Sequence, residues 1–88
     1  MVWVTGAQYA GEYQIAVSFN DGTKGVVDLR DTVFGDPRKA FEAVRDRGAF
    51  QRFAVVQDTI VWESGLDLAP EFLYDLATRR KTHTVAGS

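Results

Sequence analysis

The sequence predicts a small α+β domain built on an antiparallel sheet, in the order β-β-β-α-β-β-α, with two helices packed on one face. Three observations predict this class. Apolar and polar residues alternate in the first third of the chain, glycine turns interrupt the alternation, and helix-start motifs follow. With 88 residues the chain has room for one core, so we expect a single domain at residues 1–80 and a flexible C-terminal tail at 81–88.

The first third is predicted to form three antiparallel strands. Residues 2–9 are the first, and residues 13–19 are the second, in which every other side chain is apolar. Asn20-Asp21-Gly22 then predicts a tight hairpin, because these residue types tolerate positive φ. Residues 23–29 return as the third strand, where Gly25 permits either a bulge or a close backbone approach.

A central helix is predicted over residues 37–46. The Asp36-Pro37 pair is a helix-start motif, because aspartate can cap free backbone donors and proline suits the first helical position. The spacing predicts that the inward face consists of Ala40, Phe41 and Val44.

The last third predicts a second hairpin and a final helix. Residues 53–56 and 59–62 are rich in β-forming residues and are joined through Gln57-Asp58. Asp67 is predicted to cap the final helix, with Pro70 in its first turn. The apolar stripe of this helix is predicted to be Leu68, Phe72, Leu73, Leu76 and Ala77.

Composition excludes several classes of protein. The chain has no cysteine, so a disulfide scaffold, a zinc ribbon and a thiol nucleophile are excluded. Its formal net charge of −2 does not favour direct binding to nucleic acid. The sequence shows neither a secretory signal nor a membrane span, so we expect a cytoplasmic protein that does not contact membranes.

Three motifs resemble those of the bacterial domain-of-unknown-function family 2442. They are the hairpin Phe19 to Gly22, the strand end Val27 to Leu29, and the stretch Trp62 to Tyr74 with its glycine turn and helix start. The resemblance covers residues 1–80, with Glu63-Ser64 standing where many relatives have proline-asparagine. It implies a small uncharacterised α+β domain. Some relatives carry a C-terminal helix-turn-helix or are encoded beside a small toxin-like partner. We expect no such DNA-reading segment within these 88 residues.

No catalytic set is visible in the sequence. The spacing of the densest cluster of carboxylates argues against a metal or acid–base site, because Asp67 fits a helix cap, Glu71 fits a charge in the first helical turn, and Asp75 lies one turn beyond Glu71. The cluster consists of Asp58, Glu63, Asp67, Glu71 and Asp75. Asp28 is interpreted as a cap at a strand end, and His83 as a solvated residue of the tail. We therefore predict no enzyme, no catalytic or metal-binding residue, and no cofactor.

An aromatic platform for bases or a ligand is an alternative that core packing explains equally well. Its members would be Trp3, Tyr9, Tyr13, Trp62 and Tyr74.

The function that the sequence favours is a non-enzymatic protein-interaction module. Two short helices cannot cover both faces of the sheet, so one face or edge is expected to meet a partner protein or a second copy. The candidate partner surface consists of Trp3, Gln14, Ala16, Ser18 and Val26. On this hypothesis, Trp3→Ala weakens association and leaves the fold largely intact.

Two other functions stay open. The first alternative is a regulatory component that contacts nucleic acid, either through a partner or through its arginines, which are Arg45, Arg47, Arg52, Arg79 and Arg80. The second is a small-ligand binder or enzyme with a cleft near Trp62, Asp67 and Tyr74.

Overall fold

A computed structural model describes residues 1–83, and the side chains of residues 1–78. It confirms a small α+β fold with antiparallel strands. The strands form two three-stranded sheets instead of the single predicted one, and four helical segments accompany them. In chain order the elements are β1 Val4–Gly11, β2 Gln14–Phe19, β3 Lys24–Asp28, α1 Arg30–Gly35, α2 Lys39–Glu42, α3 Arg47–Phe50, β4 Phe53–Val56, β5 Thr59–Trp62, β6 Asp67–Leu68 and α4 Pro70–His83.

The first sheet has the order β1-β2-β3 and arises from the predicted alternation. Its central strand β2 buries every second residue. Val27 of β3 and Val4 of β1 are buried opposite Ile15 and Phe19 of that strand. The hairpin between β2 and β3 is confirmed: Gly22 has φ +91°, and the Gly22 amide donates to the Phe19 carbonyl at 3.0 Å.

The second sheet has the order β4-β5-β6, and its β4–β5 hairpin is confirmed. Gln57 and Asp58 both have positive φ, 50° and 70°, which is the backbone twist that a two-residue hairpin turn requires. The two sheets meet where the Val4 amide donates to the Asp58 carbonyl at 2.9 Å. The short strand β6 was not predicted from the sequence, and it takes up Asp67, so that residue is not the cap of the final helix.

The central helix predicted over residues 37–46 is shortened to α2 Lys39–Glu42, and α3 is a separate helical turn that begins after Asp46. Asp46 has an extended backbone, and its carboxylate caps α3 by accepting the Ala49 amide at 3.0 Å, so a helix cannot continue through it. The Asp36 carboxylate likewise accepts hydrogen bonds from the Arg38 amide and guanidinium. Pro37 lies outside any helix. Phe41 and Val44 are buried as predicted, whereas Ala40 is exposed.

Helix α4 packs against the core face of β3. A Cβ atom on Gly25 would lie 3.0 Å from the Ala77 carbonyl oxygen and 3.1 Å from the Ala77 Cβ atom. Gly25 is therefore the site of a close backbone approach, one of the two roles predicted for it. Leu73 and Ala77 face the core, whereas Phe72 is 36% exposed and Leu68 lies in β6.

Helix α4 continues to His83, three residues beyond the predicted domain end at residue 80. Residues 84–88 of the predicted tail lie outside the described residues. Among the described helices, none combines the length and the apolar character that a membrane crossing requires.

One core joins both sheets and the helices. Its largest fully buried side chains are Phe41, Phe50, Ile15, Leu29, Ile60 and Leu73. The core lies on one side of the first sheet only, so the opposite side of that sheet is left for other contacts.

Candidate interaction surface

The side of the first sheet that faces away from the core is here called the outer face. Strand register sets its members, because side chains alternate between the two sides of a strand. On β2 they are Gln14, Ala16 and Ser18, which alternate with the buried Ile15, Val17 and Phe19. The neighbouring strands supply their partners in register, which are Gly6, Gln8, Lys24, Val26 and Asp28.

Small residues make the centre of the outer face concave. Ala16 and Ser18 lie on the middle strand, and Gly6 lies opposite Ser18 on β1. The longer side chains of Gln8, Lys24 and Val26 stand around them, and the resulting open groove has a volume of about 640 Å³. The outer face therefore presents a shallow, largely uncharged depression.

Four of the five residues predicted for the partner surface share this outer face: Gln14, Ala16, Ser18 and Val26. Trp3 lies at its end, just before β1, and is 39% exposed. The Trp3 backbone amide donates to the Asn20 side-chain oxygen at 2.8 Å, and the Asn20 backbone amide donates to the Trp3 carbonyl at 3.0 Å. Trp3 directly precedes the buried Val4, and strand alternation predicts its ring on the outer side.

The three residues of the candidate cleft have different surroundings in the structure. Trp62 is only 2% exposed, and its indole N–H donates to the Phe50 carbonyl at 2.8 Å. Tyr74 lies against Phe19, and Asp67 is exposed on β6 opposite Val61. Trp62 and Tyr74 instead serve packing and hydrogen bonding within the fold.

The aromatic platform is not formed as a single surface. Tyr13 and Trp62 both pack against Phe50 in the core, with ring centroids 5.2 Å and 5.8 Å from it. Tyr74 lies in a different place, on α4. Packing in the core therefore explains Tyr13 and Trp62.

The arginines whose side chains are described are bound within the chain. Arg45 donates to the Val33 and Asp36 carbonyls at 3.0 and 3.1 Å, which caps the C-terminal end of α1. Arg47 pairs with Glu12 at 3.1 Å, and Arg52 pairs with Glu63 at 3.8 Å. The side chains of Arg79 and Arg80 lie outside the described residues.

The carboxylates with shifted pKa values hold turns. Thr23 lowers the pKa of Asp21 through its backbone N–H, and the Tyr74 hydroxyl lowers it further. The Arg38 guanidinium lowers the pKa of Asp36 through hydrogen bonds, and Asp36 in turn raises the pKa of Arg38. Within residues 1–78, no three His, Cys, Asp or Glu side chains are grouped to hold a metal ion.

Asp21 is expected to make the free energy of unfolding depend on pH in the acidic range. Its carboxylate joins the β2–β3 hairpin to α4, accepting the Thr23 amide at 2.9 Å and the Tyr74 hydroxyl at 2.8 Å. Because folding lowers the pKa of Asp21 from 3.8, its ionised form stabilises the fold above that value and loses this effect as the pH falls through the folded pKa. Asp21→Asn should therefore be less stable than the wild type at neutral pH, with a smaller difference near about pH 3.

Urea unfolding at the two pH values measures this difference. Tyr74→Phe removes one of the two hydrogen-bond donors to the Asp21 carboxylate. Its stability difference from the wild type should therefore change with pH in the same direction, but by less. An equal gap between Asp21→Asn and the wild type at both pH values would contradict a role for the Asp21 charge.

Comparison with known proteins supports the fold described above. None of the curated proteins matches the chain. A crystal structure from Nitrosomonas europaea, named as a "Putative DNA Binding Protein", has the same fold with a TM-score of 0.78 at 16% sequence identity. The match covers 93% of this chain and 52% of that one, so this chain spans about half the length of its structural relative. The model of the family described as "Protein of unknown function (DUF2442)" matches residues 4–79, and the chain therefore belongs to that family.

Proposed function

We propose that this domain is a non-enzymatic protein-interaction module that binds a partner protein through the outer face of its first sheet. The observation that carries the proposal is the one-sided core: the described helices and the second sheet join the core side, and the outer face stays open. A sheet face with a concave, small-residue centre can receive an apolar side chain of a partner without moving the strands.

The chemistry of the face supports binding in preference to catalysis. Its groove is lined by backbone, by alanine, serine and valine side chains, and by Gln8 and Lys24. A general acid–base pair needs two titratable groups at close range with separated pKa values. The Asp21 and Asp36 shifts arise instead from hydrogen bonds that stabilise turns.

Direct contact with nucleic acid is not part of this proposal. The "DNA Binding" name belongs to the structural relative, of which this chain matches 52%. Arg45 and Arg47, two of the arginines on which direct binding would depend, are engaged by carbonyl and carboxylate oxygens of their own chain. Any regulatory contact with nucleic acid is assigned to a partner.

Ala16→Glu tests the proposal, because it places a charge at the centre of the groove. Ala54→Glu is the matched control, since Ala54 is an exposed alanine on strand β4 of the second sheet. Tagged wild type and both variants are used to recover bound proteins from the cells that encode the chain, and quantitative mass spectrometry compares them. We expect one protein to be recovered in near-equal amount with the wild type and Ala54→Glu, and to be lost with Ala16→Glu.

Trp3→Ala should also reduce recovery of that protein, because Trp3 extends the outer face. Circular dichroism verifies that each variant remains folded. Equal recovery with Ala16→Glu and Ala54→Glu, or no protein in stoichiometric amount with the wild type, would reject the outer face as a partner site.

A further inference from the structure

Strand β3 leaves one row of its backbone groups unpaired with β2. The Phe19 amide donates to the Thr23 carbonyl at 2.9 Å, and the Leu29 amide donates to the Tyr13 carbonyl at 2.8 Å. At both ends of the pairing between β2 and β3, the hydrogen-bonded residue on the β3 side is therefore odd-numbered. Because bonding alternates along an antiparallel strand, Lys24, Val26 and Asp28 direct their N–H and C=O groups away from β2. Among the described residues, no other strand pairs with β3.

The same three residues carry a self-complementary pattern of side chains. Lys24, Val26 and Asp28 are all exposed on the outer face, and Val26 is 50% exposed. Neither Lys24 nor Asp28 has an ion-pair partner within residues 1–78. The Asp28 carboxylate accepts only local donors, the Arg30 amide at 3.0 Å and the Gln14 side chain at 3.4 Å.

We propose that two copies of this chain pair along β3, antiparallel, about a two-fold axis at Val26. In this register Val26 lies opposite the partner's Val26, and Lys24 lies opposite the partner's Asp28. The three pairs supply about six backbone hydrogen bonds, since each hydrogen-bonded pair of antiparallel residues exchanges two. Two cross-strand ion pairs then flank a central apolar pair. The first sheets of the two copies together form one sheet of six strands.

Other registers between the two β3 strands form fewer backbone hydrogen bonds or place like charges opposite each other. Moving the strands by one residue places outward-facing groups opposite inward-facing ones. Moving the pairing so that Val26 lies opposite the partner's Asp28 sets Lys24 against the partner's Arg30, which are like charges. The two-fold register at Val26 therefore combines the most hydrogen bonds with opposite charges in both flanking pairs.

The edge strand β4 of the second sheet lacks this complementarity. Strand β4 has only Phe53, Ala54, Val55 and Val56, so no charge on the strand sets a register. Its turn already meets the first sheet through the hydrogen bond between Val4 and Asp58. Helix α4 touches β3 at Gly25, on the face opposite to Lys24 and Val26.

Lys24 and Val26 also border the groove. The pairing is nevertheless distinguished from partner binding, because it uses the backbone edge of β3, whereas the partner test alters Ala16 on β2. It can be measured on the purified chain alone. Failure of one proposal leaves the other standing.

Charge exchange between two variants tests the pairing. Sedimentation equilibrium should show the wild type as a dimer of the 9.8 kDa chain. Lys24→Asp and Asp28→Lys, each alone, should raise the dimer Kd by about ten-fold, because every flanking pair becomes a like-charge pair. Mixing the two variants should restore association as a heterodimer, since each flanking pair then has opposite charges. Gln8→Glu, on the outer face but on β1, should leave the dimer Kd unchanged.

Crosslinking tests the same contact without charge changes. The chain has no cysteine, so Val26→Cys introduces a single thiol at the proposed two-fold axis. A short bismaleimide should link Val26→Cys into dimers and leave Gln8→Cys and Val55→Cys monomeric. A monomeric wild type, no recovery in the mixture of folded charge variants, or crosslinking of Val55→Cys in place of Val26→Cys would overturn the proposal.

Discussion

Trp62→Ala is expected to lower the free energy of unfolding by about 3–5 kcal/mol, which is the usual cost of truncating a buried aromatic side chain. Trp62 is 2% exposed, and its ring packs against Phe50 and Phe53 at centroid distances of 5.8 and 6.2 Å. The truncation also leaves the buried Phe50 carbonyl without its indole donor. Chemical denaturation followed by circular dichroism measures the change.

Trp62→Phe is the matched control, because it keeps an aromatic ring and removes the indole N–H. Its expected cost is smaller, about 1–3 kcal/mol, for the unpaired carbonyl and the lost ring volume. If Trp62→Ala kept the stability of the wild type but abolished binding of a partner or ligand, then Trp62 would belong to a site and not to the core.

Gly25→Val is expected to destabilise the domain by about 3 kcal/mol, at the upper end of the usual cost of overpacking. The Gly25 position has no space for a side chain, because the Ala77 carbonyl oxygen and Cβ atom would lie 3.0 and 3.1 Å from a new Cβ atom. Gly25→Ala should cost less, because only one methyl group must be accommodated. The thermal midpoint and the urea midpoint should both fall in the order wild type, Gly25→Ala, Gly25→Val.

Two further variants test that the cause is the contact with α4. Gly6→Ala is the control, because a Cβ atom there meets nothing within 4 Å and the position is on the other edge strand of the same sheet. Its effect should lie within about 1 kcal/mol of zero. Ala77→Gly should cost less in the Gly25→Ala background than in the wild type. Additive effects of these two changes would contradict direct contact between the two positions.

The strands and their turns were predictable because their causes are local. Alternation through β2 settles which side chains face the core, and it also predicted that Gln14, Ala16, Ser18 and Val26 share one face. Gly22 supplies the positive φ of the first hairpin, and Gln57 and Asp58 supply that of the second. The family resemblance noted in the sequence is confirmed by the family match over residues 4–79.

Helix α1 was missed because its support is distant in sequence. Its N-cap Leu29 makes no side-chain capping bond, and Arg45 binds the carbonyls at its other end. The Tyr13 hydroxyl in turn donates to the Arg45 carbonyl, which holds this arginine in place. Local propensity contains none of these contacts.

The surroundings of the candidate cleft residues also depend on distant segments. Trp62 and Asp67 lie on the paired strands β5 and β6, but the Trp62 side chain is buried whereas Asp67 is exposed. Tyr74 lies on α4. Tyr74 is directed to the first hairpin by Phe19 and Asp21, which lie more than fifty residues earlier in the chain. Sequence spacing could identify these residues as important without indicating what they touch.

The sequence by itself determined the α+β class, the strand faces, the two hairpins and the family, because alternation and turn residues act over only a few neighbouring positions. The tertiary structure decided the division into two sheets, the shortening of the predicted central helix to Lys39–Glu42 and the burial of Trp62. It also decided that the outer face stays open, because all large buried side chains collect on the other side of the first sheet. These outcomes depend on contacts between distant segments, which arise only when the elements pack together.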